Sequence, residues 1–184
     1  EMNTGVAGRR EPNRRRRAKS VAPRFQGLKS FDMSFAWTEI GDEGMNNLCT
    51  SLKDKVKDIT SFVLDVGESV VTDDGLEVLA TQLLPQMQSL ETLELFINDI
   101  DIKDNIIKKI ANALNQISSI KDICLELCGI KFTGEGLEAI GKLGLANKPA
   151  LESLRIFIAN TPLVNNEITN FIHTIPYVVQ NLKT

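Results

Sequence analysis

The stretch LETLELFINDI, residues 90–100, alternates apolar and polar side chains and recurs in variant form along the chain. Segments that superimpose on it begin at Leu28, Ile59, Ile120 and Leu151, so five copies follow one another at spacings of 31, 31, 30 and 31 residues. Counted from a first residue numbered zero, positions three, five and seven are apolar in every copy. Self-similarity at a fixed period predicts a repeat architecture.

Each copy contains two kinds of periodicity. Positions three, five and seven alternate, which is typical of a short strand with one buried face. Positions seventeen, twenty, twenty-one and twenty-four step by three and four, which is typical of one face of a helix. The sequence therefore predicts strands at 31–35, 62–66, 93–97, 123–127 and 154–158, paired in parallel in sequence order. It predicts helices over 42–53, 73–86, 103–116, 134–143 and 165–174.

The segment between strand and helix has its own signature, which reads Gly-Asp-Glu-Gly at 41–44, Thr-Asp-Asp-Gly at 72–75 and Thr-Gly-Glu-Gly at 133–136. Thr72 and Thr133 are predicted to cap the following helices, and the acidic residues suit the positive end of a helix. The recurring glycine is expected where the turns are too crowded for a side chain.

These residues carry a resemblance to a known family. The strand pattern of LETLELFINDI, together with the IGDEG and GEGLEAIG segments, resembles the ribonuclease-inhibitor-like class of leucine-rich repeat, in the long-repeat form common in ciliated protists. The resemblance covers residues 28–181. It implies an α/β solenoid that forms a short horseshoe arc, with a parallel sheet on the concave side and helices on the convex side. It says little about activity, since a fold does not fix a function.

Charge divides the chain into two parts. Residues 1–27 hold eight basic and two acidic residues, which leaves 13 basic and 22 acidic residues of the totals of 21 and 24. We predict a basic, extended or disordered tail over 1–27 and a five-repeat domain over 28–184. The tail has too few apolar residues to offset the entropic cost of ordering, so we expect it to have little regular structure and to pack poorly on its own solenoid.

The arginine run in the tail is the clearest signal apart from the repeat. Consecutive arginines gain affinity for a polyanion by releasing its counterions. RNA, DNA, an acidic membrane surface and the acidic face of tubulin are candidate partners, and the run also resembles a nuclear-localisation patch. The simpler alternative is an extension that only aids solubility. The predicted polyanion-binding residues are Arg14, Arg15, Arg16, Arg17 and Lys19.

The strand residues at positions four and six point away from the helices, onto the concave face. They combine acidic residues with aromatic ones. Aromatic side chains supply anchors, and carboxylates select a basic partner, so the pattern indicates a protein-binding surface. The alternative is that the phenylalanines lie sideways between their strand neighbours. The predicted partner-binding residues are Asp32, Asp65, Glu94, Phe96, Glu126, Arg155 and Phe157.

Two features concern the ends of the array. Trp37 follows the first strand, where it either covers the open end of the solenoid or contacts a partner; we favour the cover. The fifth repeat departs from the pattern at Pro162, Glu167 and Pro176, and Pro176 is expected to end the last helix. Irregular terminal repeats are typical of caps, so this repeat is interpreted as its own cap, with continuation into a partner as the alternative.

Several classes of function are excluded by what the sequence lacks. Three cysteines are too few and too unevenly placed for a disulfide framework, which fits a reducing compartment. The chain has a single histidine, His173, and no paired Cys-x-x-Cys, so no zinc site is expected. A phosphate-binding glycine loop, a nucleophile–histidine pairing and a membrane-spanning apolar run are also missing. We therefore expect no catalysis, metal, cofactor, small-molecule substrate or membrane span.

These patterns favour a non-catalytic scaffold subunit of a large assembly, most plausibly cytoskeletal or ciliary, with an intracellular location that is cytoplasmic or cytoskeletal and includes the cilium as one option. The concave face would bind other proteins of the assembly, while the tail would bind an acidic surface such as tubulin or RNA. The alternative is a ribonucleoprotein or organellar-ribosome subunit whose tail contacts RNA, so nuclear and organellar locations stay open. A third reading, an enzyme regulator similar to ribonuclease inhibitor, is weaker because that relative has more repeats and many cysteines.

Overall fold

A computed structural model describes residues 27–146 and 148–178, with side chains up to residue 175, and each repeat forms a strand, a turn and a helix. The strands are β1 (Ser30–Ser34), β2 (Ser61–Asp65), β3 (Thr92–Phe96), β4 (Asp122–Glu126) and β5 (Ser153–Phe157). The helices are α1 (Asp42–Leu52), α2 (Asp73–Val78), α3 (Asp104–Asn115), α4 (Gly134–Ala139) and α5 (Asn165–Val178).

The strands form one parallel sheet in the order β1-β2-β3-β4-β5, which confirms the predicted topology. Equivalent repeat positions pair in register, so Leu64, Leu95 and Leu125 are direct neighbours. Each strand begins one residue earlier than predicted. The last predicted residue still bonds to the next strand, because the N–H of Phe35 donates to Asp65 at 2.7 Å. Strand, turn and helix repeat in sequence order, and the chain is an α/β leucine-rich-repeat solenoid.

The core lies between the sheet and the helices, and the apolar columns of the repeat line it. Leu64, Leu95 and Leu125, at position five, are buried. Met33, at the same position in β1, is 37% exposed, and Ile168 on α5 is 38% exposed. The prediction that these two lie in the core was wrong. An interior column residue is covered by a repeat on either side, whereas a terminal one has a single neighbouring repeat within the described part of the chain.

The helices differ more from the predictions than the strands do. α1 and α3 agree with prediction within a residue, but α2 and α4 are short and continue as π-helical turns at Leu79–Leu83 and Ile140–Gly144. α5 runs to Val178, so the prediction that Pro176 ends it was wrong. Proline lacks the N–H but has a φ close to the helical value, so the backbone continues through it for two residues.

Every repeat turns at a left-handed residue, at position nine. These residues have φ between 50° and 69° and are Trp37, Glu68, Asp99, Gly129 and Asn160. Their N–H groups, except that of Asn160, donate to the next repeat's loop at 2.8–3.2 Å. Trp37 therefore occupies a backbone position shared by all repeats, and its side chain is 78% exposed. A cover over the first repeat would bury the apolar side chains of β1, but Met33 is exposed. The described residues therefore do not support Trp37 as a cover for the N-terminal end of the solenoid.

Candidate protein-binding surface

The sheet brings the predicted partner-binding residues onto one face, in two rows that cross the strands. In register, position four gives Asp32, Val63, Glu94, Cys124 and Arg155. Position six gives Ser34, Asp65, Phe96, Glu126 and Phe157. Successive side chains of a strand point to opposite faces, and positions three and five pack against the helices. Both rows therefore lie on the concave face, away from the helices.

In the position-four row, an ion pair crosses a whole strand. A guanidinium nitrogen of Arg155 on β5 lies 2.8 Å from a carboxylate oxygen of Glu94 on β3. Cys124, on the strand between them, is only 2% exposed, and burial raises the pKa of its thiol above the ordinary value. Two of the seven predicted binding residues thus neutralise each other, and the cysteine between them is buried.

The carboxylate of Asp65, in the position-six row, is already engaged by its own repeat and the preceding one. It accepts the Ser34 hydroxyl at 2.8 Å and the Gly67 N–H at 3.0 Å. These bonds fix the exit from β2. Asp32, on the first of the described strands, is exposed. Asp65 therefore has a structural task that the sequence pattern did not indicate.

The other half of the position-six row has a different character. Phe157 is 49% exposed, and Phe96 is half-buried. Glu126 lies between them in the register, on β4. Within the part of the chain that the structure describes, its carboxylate forms no hydrogen bond and no ion pair. About half of the Phe157 side chain is open to solvent, as a binding surface requires. This row presents an aromatic surface and an unpaired negative charge.

The predicted polyanion-binding residues Arg14, Arg15, Arg16, Arg17 and Lys19 lie outside the described residues. The same is true of almost the whole predicted tail, residues 1–27, since the description begins at residue 27.

Other candidate chemistry is sparse where the structure describes the chain. Cys49 is buried, and burial raises the pKa of its thiol to about 11, so it is a core side chain. His173 lines an open groove of about 550 Å³ between α4 and α5, together with Glu135, Glu138 and Glu167. No group of His, Cys, Asp and Glu among the described residues is arranged to hold a metal ion. No helix in residues 27–146 and 148–178 is long and apolar enough to cross a membrane.

A set of carboxylates that sequence reasoning missed joins neighbouring repeats at the starts of their helices. Asp104, the first residue of α3, accepts the Thr133 N–H and hydroxyl, both at 2.8 Å, and the Gly136 N–H at 2.9 Å. Asp42 makes the same contacts with Thr72 and Gly75. The acidic residue and the later glycine of each turn signature were visible, but their pairing across repeats was not. Their role is structural.

The chain was compared with family models, curated proteins and solved structures. No family model matches the chain, and no curated protein matches it. Among solved structures, the chain is similar to an internalin (inlF) from Listeria monocytogenes str. 4b F2365, with 15% sequence identity and a TM-score of 0.38. The match covers 85% of this chain and 48% of that one, so the chain spans about half the length of the internalin.

Proposed function

We propose that this chain is a non-catalytic interaction subunit of a large assembly, most plausibly cytoskeletal or ciliary. Its concave face binds a protein, and its arginine-rich tail binds an acidic surface such as that of tubulin. The observation that supports the concave part is the exposed Phe157 beside Glu126, whose carboxylate has no ion-pair partner in the described part of the chain. Aromatic anchors next to selective charges are typical of binding surfaces.

The arrangement of charge supports the second contact. The residues after the tail carry 13 basic and 22 acidic side chains, so a polyanion that approaches the solenoid is repelled and one that approaches the tail is attracted. Two linked contacts of modest strength give a high overall affinity, because the second contact forms at a high effective concentration. A subunit of this design holds two other components together without any chemistry of its own.

The test compares the intact chain with a chain lacking residues 1–27, by cosedimentation with microtubules and, separately, by binding to ribosomal RNA. Both binding assays are run over a salt series that begins at about 50 mM, where contacts between charges are strong. The intact chain should bind microtubules more tightly and lose that advantage as salt rises. Tight, salt-dependent binding to RNA with none to microtubules would instead favour the ribonucleoprotein alternative.

A matched pair of variants separates the arginine run from overall charge. Arg15→Ala with Arg16→Ala removes two positive charges from the tail, and Lys53→Ala with Lys57→Ala removes two exposed ones from the solenoid. The first pair should weaken binding and flatten the salt slope, since each lost phosphate or carboxylate contact reduces that slope. Equal affinities and slopes for all these chains would contradict the two-contact scaffold.

A further inference from the structure

The two rows of the concave face differ in whether a positive side chain pairs with their central carboxylate. The position-four row has its own cation, because Arg155 reaches across Cys124 to Glu94 at 2.8 Å. The position-six row has the equivalent carboxylate, Glu126, with a phenylalanine on each side of it and no cation among the described residues. The Glu94 carboxylate is therefore paired with a positive group, whereas that of Glu126 is not paired with one among the described residues. We call Phe96, Glu126 and Phe157 the Phe–Glu–Phe row.

The Phe–Glu–Phe row has the composition of an arginine-binding site. Adjacent strands lie about 4.8 Å apart, so the backbone positions of Phe96 and Phe157 lie at roughly that spacing on either side of Glu126. A guanidinium is planar, stacks on an aromatic face and donates parallel hydrogen bonds to a carboxylate. Phe157 leaves about half of its surface open for such stacking, since it is 49% exposed. A lysine ammonium satisfies the charge but not the stacking.

We propose that the arginine run of this same chain, residues 14–17, occupies the Phe–Glu–Phe row as an intramolecular ligand. The inference rests on the proposed function, because it assigns an occupant to the same concave face and a second role to the same tail. A seated arginine hides the row from a protein partner. It also withdraws part of the tail from an external acidic surface.

The length of the tail supports this occupant over one from another molecule. From β1 to β4 is three strand spacings, about 14 Å, and the offset along the strands is of similar size, so the row lies about 20 Å from the start of β1. Arg17 lies 13 residues before Ser30. A flexible segment of that length has a typical end-to-end distance of about 20 Å. A tether of this length is therefore long enough for the arginines to reach the row.

The contact does not require a folded tail. Four neighbouring arginines can exchange at one carboxylate, so the tail keeps the poor packing that its composition predicts. A short flexible tether gives an effective concentration on the order of millimolar, so even a weak site is substantially filled. Because the attraction is partly ionic, added salt or a competing polyanion releases the tail. Binding to an external acidic surface then uncovers the concave face, which couples the two contacts of the scaffold.

The experiment uses a labelled peptide with the sequence of residues 9–20, RREPNRRRRAKS, and measures its fluorescence polarisation at low salt. The chain lacking residues 1–27 should bind the peptide. The intact chain should bind it about threefold or more weakly, because its own tail competes. A peptide with lysine in place of every arginine should bind less well than the arginine peptide to the truncated chain.

Matched variants of the truncated chain locate the site. Phe157→Ala and Glu126→Gln should each weaken peptide binding by about two- to fivefold, as expected for one stacking or ionic contact. Val70→Ala removes another exposed apolar side chain elsewhere, and Glu43→Gln removes one exposed carboxylate from α1. These two controls should leave binding unchanged. All four positions are exposed or half-exposed, so the variants are expected to keep the far-ultraviolet circular dichroism of the parent.

Two results would overturn the intramolecular contact. The first is equal peptide affinity for the intact and truncated chains, and the second is a Glu43→Gln effect as large as that of Glu126→Gln. Either result would leave the proposed function standing, because that function is tested separately by the salt-dependent binding of the tail to microtubules or RNA. In the intact chain, Glu126→Gln should also strengthen binding to heparin, used as a model polyanion, more than Glu43→Gln does.

Discussion

The carboxylate of Asp42 lies where a side chain on residue 75 would have to begin. Its Oδ1 accepts the Gly75 N–H at 3.0 Å and lies 2.6 Å from the position of a Cβ on that residue. The same atom accepts the Thr72 N–H at 2.8 Å. The glycine of the turn signature is therefore required because a carboxylate of the preceding repeat approaches the backbone closely, and not because of an unusual φ.

Gly75→Ala is predicted to destabilise the protein by about 1–3 kcal/mol, although alanine ordinarily favours a helix over glycine. The new methyl group forces the Asp42 carboxylate out of its three hydrogen bonds. The measurement is chemical denaturation of both single variants and the double variant with Asp42→Ala. In the Asp42→Ala background the cost of Gly75→Ala should shrink, because the two positions share one contact. Additive costs would show that the carboxylate is not what excludes a side chain.

Asp104→Ala is predicted to cost about 1–3 kcal/mol, since it removes an ionised acceptor from two N–H groups and one hydroxyl. Asp73 is the natural control, as it begins α2 in the same way. Ile106 replaces the glycine in the next repeat, and from the described residues Asp73 accepts the Lys103 N–H alone, at 3.2 Å. Asp73→Ala should therefore cost below about 1 kcal/mol. Similar midpoints for the two variants in urea denaturation would contradict the assigned role of these carboxylates.

The fifth repeat shows why the sequence revealed the turn signature but not the contact between repeats that the signature makes. Glu167 replaces the recurring glycine there, and Gly134 replaces the acidic residue of the preceding repeat. The Glu167 carboxylate reaches back, accepting the Gly134 N–H at 3.1 Å and the Val164 N–H at 2.9 Å. Carboxylate and glycine have exchanged places, so the link between repeats persists in reverse. A pattern taken one repeat at a time cannot reveal a contact that spans two.

Periodicity predicted the strands, their order and the interior core, because each of these depends on residues within one repeat and on its stacking against a similar neighbour. The turn signature correctly predicted Thr72 and Thr133 as helix caps, since each hydroxyl accepts the N–H of the residue two positions later, at 3.4 Å. Periodicity failed at Met33, because this apolar position has only one neighbouring repeat within the described part of the chain. It also missed the pairing of Arg155 with Glu94, because side chains two strands apart are 61 residues apart in sequence.

Leu95→Ala is predicted to cost about 2–5 kcal/mol, because it leaves a cavity between sheet and helices in the central repeat. Met33 supplies a control at the same repeat position on β1, where the side chain is partly exposed. Met33→Ala should cost clearly less, since removing surface that water already reaches loses less apolar burial. Denaturation midpoints of the two variants provide the comparison. A shift for Leu95→Ala of under about 0.5 kcal/mol would mean that the residue does not lie in the core.

Lys148 stands in an otherwise apolar column. The equivalent residues that precede the next strand are Val56, Met87 and Ile117, all fully buried. Lys148 is only 2% exposed, and within the described residues its Nζ donates one long hydrogen bond, of 3.3 Å, to the Ala146 carbonyl. Burial lowers the pKa of this amine from its ordinary 10.5 to about 8. A buried ammonium without a carboxylate costs stability that an apolar residue at this place does not.

Lys148→Met is therefore predicted to raise the free energy of unfolding at pH 7, and the gain should depend on pH. The lowered pKa of Lys148 means that the unfolded chain binds more protons than the folded one between about pH 8 and 10.5, so the parent gains stability as pH rises through that window. Its deficit relative to Lys148→Met should shrink by about 2 kcal/mol between pH 8 and 10, and become constant below about pH 7. Urea denaturation of both chains across this range measures the difference, in which groups common to both cancel. A gap that is independent of pH would mean that the amine reaches solvent and keeps its ordinary pKa in the folded protein.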